Sequence, residues 1–277
     1  MRTLLAAAMT LPLIGCMIGD TGTPGSAGDD GTGGNNPGGS NPGGSNPGGS
    51  NPTPKVDITL DKSAISTELN TSNPITVTVQ GSGDFSGDVA LAGTVVDASD
   101  VAIPGWTVAF ATPTVTLAEN GTSTAVATLK VPAKTTGLTG SVKITATSSA
   151  TMGANVASAT VAAMNQVTFT VKVDPATGKC VYPPGIPGST TTIAQTTKVR
   201  FFNTGTANLV IHFQPGAGQG PGVPITHQGQ GPNGNADPTT EPNTAYEQMP
   251  IGAGTGTWYC HAPDTNLGAQ SPRITVQ

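Results

Sequence analysis

Charge and aromaticity are scarce in this chain. Charged residues make up 10% of its 277 positions and aromatic residues 4%. The net charge is −5 and Lys and Arg never cluster, so no positive stripe exists to neutralise phosphates, and nucleic-acid binding is excluded as a function class. Helical patterning is missing too: no window sustains a 3.6-residue apolar period between caps. The apolar run at residues 4–14 is too short to remain as a membrane-spanning helix. Cysteine and histidine are limited to three each, which confines any metal or redox chemistry to a few positions.

What the chain does have is Thr, Val, Ala, Ser and Gly, a composition that favours short strands and turns. Segments 56–60, 75–79, 106–110 and 141–146 alternate apolar and polar residues between Pro, Gly, Asn and Ser, and 85–91 and 122–131 add further strands. The expected fold class is all-β: two β-sandwich domains, residues 55–165 and 166–277, after a disordered tether. About 220 residues remain for them, enough for two domains of ordinary size.

Residues 1–15 read as an address. A short basic start and the apolar run end in Leu13-Ile14-Gly15-Cys16, which resembles the lipobox of bacterial lipoproteins. That resemblance implies cleavage before Cys16, acylation of its thiol and a membrane partner through the lipid. Met17, in place of the Asp associated with inner-membrane retention, points to the outer membrane of the cell envelope. Residues 16–54 follow as a linker in which Asn-Pro-Gly-Gly-Ser starts at Asn36, Asn41 and Asn46 and restarts at Asn51. Such a segment has almost nothing to bury and stays disordered, with a reach on the order of 35 Å.

The first expected sandwich lacks His and Cys. Its acids Asp84, Asp88, Asp97 and Asp100 match no calcium-loop spacing and read as solvated turn residues. Phe85-Ser-Gly-Asp-Val-Ala-Leu91 with the later Gly-linked strands resembles the immunoglobulin-like (Ig-like) modules of bacterial envelope proteins.

The second carries strands at 167–173, 198–203, 209–213 and 258–260, with a terminal one at 273–276. Val199 to Asn203, then His212, then Gly256-Thr-Trp-Tyr-Cys260, then Ile274-Thr-Val276, follow the order of the cupredoxins, and this part of the chain resembles that Greek-key family. The resemblance implies a copper site with Cys260 as thiolate, His212, His227 and His261 as candidate imidazoles and Gln270 in the axial place. Against it stands the alternation of a strand, which points Cys260 and His261 to opposite faces unless the chain turns between them. Cysteine arithmetic offers the other outcome. With Cys16 lipidated, Cys180 and Cys260 are left as one disulfide pair in an oxidising compartment.

No nucleophile–base–orienter set is readable, and Cys260 with His261 has no third group to orient the ring, so the chain is expected not to be an enzyme. The expectation is an envelope lipoprotein displaying binding or structural modules, with an unidentified protein or cell-surface partner and no cofactor. The alternative is a copper protein for electron transfer or copper handling.

Overall fold

A computed structural model describes residues 53–151, 154–183, 186, 188–215, 225, 239–263 and 272–277. The expected leader, Cys16 and nearly all of the linker lie outside these residues, as do His227 and Gln270.

The described residues are all-β. The first strands are β1 (Lys55–Leu60), β2 (Ala64–Leu69), β3 (Ser72–Ser82), β4 (Gly87–Val96), β5 (Thr107–Phe110), β6 (Thr114–Leu117), β7 (Thr122–Lys130) and β8 (Thr139–Thr147). A 19-residue strand, β9 (Asn155–Val173), follows. The rest are β10 (Cys180–Val181), β11 (Thr190–Ile193), β12 (Lys198–Asn203), β13 (Val210–Pro215), β14 (Ala245–Gln248), β15 (Gly254–His261) and β16 (Arg273–Val276).

Strand alternation explains the layers. In β7 and β8 every second residue is buried, as a strand with one wet face requires. Sheet β1-β3-β7-β5 covers one side of the first sandwich, and β9, β8, β4 and β6 with the parallel strand β2 cover the other. Between them lies a mainly aliphatic core in which Ile75, Val77, Val79, Val89, Leu129, Val142 and Ile144 are fully buried, and Phe85 and Trp106 are buried with them. In the second sandwich β14-β12-β9 faces the sheet β11-β16-β15-β13. Two of its pairs, β12 with β9 and β11 with β16, run parallel.

β9 belongs to both halves. Residues 155–162 pair with β8, and residues 166–171 pair with β12. The strand passes the expected boundary at residue 165 unbroken. There Asn165 donates from Nδ2 to the Thr196 carbonyl at 2.9 Å and accepts from Thr197 Oγ1 at 3.1 Å. Glu68 of β2 accepts from Gln166 Nε2 at 2.9 Å and from Thr168 Oγ1 at 2.5 Å, on the far side of that boundary. The ladder to β2 shifts register here, from Met164 opposite Glu68 to Val167 opposite Leu69. Asn165 and Gln166 thus form an irregularity within a continuing strand, and the buried apolar residues of both halves form one continuous cluster.

Candidate functional site

The C-terminal strands separate two kinds of chemistry by face. In β15, Gly256, Trp258 and Cys260 are buried, while Thr257, Tyr259 and His261 are half-buried on the other side. β13 lies antiparallel to it, setting Phe213 opposite Trp258, His212 opposite Tyr259 and Ile211 opposite Cys260.

On the core face Cys260 is bonded to Cys180. The bond ties β10, which pairs with β9, to β15 of the opposite sheet, and Lys179 forms a β-bridge with His261 at the same corner. A sulfur in a disulfide is no thiolate, so Cys260 is not available as a copper ligand. A structural disulfide persists in oxidising surroundings, and this one marks an extracytoplasmic protein.

Around it pack the aromatic rings. Trp258 lies 4.7 Å from Phe201, 5.2 Å from Phe169 and 5.3 Å from Tyr182, ring centre to ring centre. Trp258 Nε1 is buried without a hydrogen-bond partner among the described residues. Burial pushes the Tyr182 hydroxyl up to about 12, partly offset by the nearby Cys260 backbone, although no hydrogen bond of good geometry forms there.

The outer face brings two histidines together. His212 Nε2 and His261 Nε2 stand 2.7 Å apart, with ring centres at 4.6 Å and planes inclined by 18°. Tyr259 lies parallel to His212 at 5.0 Å. His261 Nδ1 is 2.5 Å from the Ala262 carbonyl. A carbonyl only accepts, so Nδ1 carries the proton and His261 Nε2 presents its lone pair. His212 Nε2–H then donates to it.

Of the expected copper set, then, His212 and His261 meet each other, and Cys260 lies on the opposite face, bonded to Cys180. Sequence reasoning missed Tyr259 and the Ala262 carbonyl as the groups that orient the pair. Among the described residues no three His, Cys, Asp or Glu side chains gather as a metal site. The acids of the first sandwich have partners of their own. Asp97 Oδ1 accepts from the Ser99 and Val101 backbone, Asp88 accepts from Thr116 Oγ1, and Asp100 pairs with Lys143.

No family profile and no curated protein matches the chain. Solved structures do align with it. A family 123 glycoside hydrolase from Clostridium perfringens superposes with a TM-score of 0.33 at 8% identity, over 43% of this chain and 30% of that one. The chain thus spans under a third of the hydrolase's length. The E. coli chaperone DraB gives 0.27 at 10% identity over 80% of this chain and 97% of its own. A FixG-related protein from Vibrio parahaemolyticus gives 0.30 at 10% identity over 40% and 96%. At these values the superpositions assign no function.

Proposed function

We propose that the protein is a lipid-anchored envelope protein that displays two joined, non-catalytic β-sandwiches for binding or structural support. The Cys180–Cys260 disulfide carries this reading. It uses both cysteines beyond Cys16 as a covalent tie between sheets, which suits an exported head exposed to an oxidising environment. The first sandwich is Ig-like and the second cupredoxin-like in this reading, and β9 makes one stiff head of them. The partner is a protein or another cell-surface component, reached on the linker that follows Cys16. Copper carriage through a Cys260 thiolate would need the sulfur that the disulfide occupies.

One fractionation tests the anchor and the tie together. The wild-type full chain should partition with membranes after salt and carbonate washing, and Cys16→Ser should move to the soluble fraction. Both should give a non-reduced peptide map linking Cys180 to Cys260. A Cys16→Ser chain that stays on the membrane sinks the lipid anchor. Free thiols at Cys180 and Cys260 in protein from the envelope sink the structural role of the pair.

A further inference from the structure

We propose that His212 and His261 form a copper(II) site on the outer face of the second sandwich, built without sulfur. The site goes beyond the display role and does not depend on the lipid anchor.

Position comes from the strands. His212 sits opposite Tyr259, and His261 opposite Val210, so the two histidines are diagonal neighbours on one face. Tyr259, parallel to the His212 ring, limits its swing. The Ala262 carbonyl fixes His261 as the tautomer whose lone pair is at Nε2, where it accepts from His212 until a metal takes its place, and such an outer partner also raises the basicity of a metal-binding imidazole.

Separation then narrows the metal. Two nitrogens bound at about 2.0 Å and at right angles stand about 2.8 Å apart, whereas tetrahedral angles set them at about 3.3 Å. The Nε2 atoms are already 2.7 Å apart. The hydrogen bond from His212 sets that spacing, and neighbouring corners of a tetragonal site, the geometry that copper(II) and nickel(II) prefer, would keep it; copper(II) is the stronger binder of the two. The rings need to turn so that their lone pairs converge, but their nitrogens need not separate. His212 must also shift its proton from Nε2 to Nδ1, a change of tautomer with no net proton release.

The chemistry differs from that of a blue site. With Cys260 in the disulfide on the core face, copper bound to the two imidazoles has no thiolate, and the intense thiolate colour is absent.

The test uses the full chain in detergent, titrated with copper(II). Electron paramagnetic resonance should show one tetragonal copper with nitrogen superhyperfine splitting, without an intense visible band. His212→Ala and His261→Ala should each weaken binding by about 10-fold or more. Unchanged affinity in both variants overturns the site, as does copper that survives both substitutions and is lost in His227→Ala. The wild-type chain gives a second reading that needs no variant to fold. Copper should slow diethyl pyrocarbonate modification of the peptides carrying His212 and His261, and an unchanged rate at both counts against the site. An intense blue band lost in Cys260→Ser would put the copper on a thiolate, overturning this site and the structural disulfide at once.

Discussion

The two sandwiches solve the same packing problem by different means. The first fills the space between its sheets mainly with Val, Ile and Leu, with Phe85 and Trp106 as its buried rings, and it contains no cysteine. The second gathers Phe169, Phe201, Phe213, Tyr182 and Trp258 in one cluster and bonds its sheets through Cys180 and Cys260. Their strands account for the difference. β3, β4, β7 and β8 run nine to eleven residues, although β5 and β6 have four. By contrast β15, with eight, is the longest described strand confined to the second sandwich, and β11, β14 and β16 have four. Short strands offer few ladder bonds and little alternating surface, so large rings and a disulfide make up the deficit.

Breaking the tie should give the largest effect. Replacing Cys180 and Cys260 together by Ala frees a loop spanning 80 residues in sequence and should cost about 4.5 kcal/mol in the chain-entropy model. The loss should fall on the second sandwich. Each half has one tryptophan, Trp106 and Trp258, so Trp106→Phe and Trp258→Phe backgrounds report the halves separately. Denaturant curves that shift equally in both backgrounds would show that the sandwiches unfold as one unit.

The junction comes next. Glu68→Ala removes the acceptor shared by Gln166 and Thr168 and should cost about 2 kcal/mol, the usual range for hydrogen bonds to a charged group. Both tryptophans should register it, because β2 belongs to the first sandwich and Thr168 to the stretch of β9 that enters the second. A shift seen by Trp106 alone would mean that the halves meet but do not support each other.

Smallest is a surface pair. The Lys198 ammonium, hydrogen-bonded to Glu247 at 2.9 Å, and then the nearby Arg200 hold that carboxyl below its ordinary value of 4.5. A lowered carboxylate pKa stabilises the fold above the unfolded value and loses that contribution as pH falls through the folded value. Glu247→Gln should therefore narrow the gap to wild type as pH drops below about 4.5, by no more than about 1 kcal/mol for so exposed a pair. Thermal melts across pH 3 to 7 read this, and a constant gap would show that the pair contributes nothing.

Much of the architecture was legible in the residues. Alternation located β1, β3, β7, β8 and β12 to within a few positions, since each has one wet face. β10, β11 and β14 escaped because two to four residues are too few to show a period. The pattern breaks near Asn165, and the ladder to β2 does shift register there, yet Thr196 and Thr197 hold the Asn165 side chain and β9 continues. At the site, alternation correctly parted Cys260 from His261. It could not show His212 beside His261, because that depends on the register of β13 against β15, and 38 positions separate Pro215 from Gly254.

The disulfide also changes what a protease can do to the molecule. Any single backbone cut between Cys180 and Cys260 leaves two pieces still joined through sulfur. β16, which pairs with β11 and β15, lies on the C-terminal piece after such a cut, yet it stays covalently attached to the strands it packs against. Outside the cytoplasm, where nicked chains meet no machinery to remake them, a clipped copy of this domain would remain a single molecule.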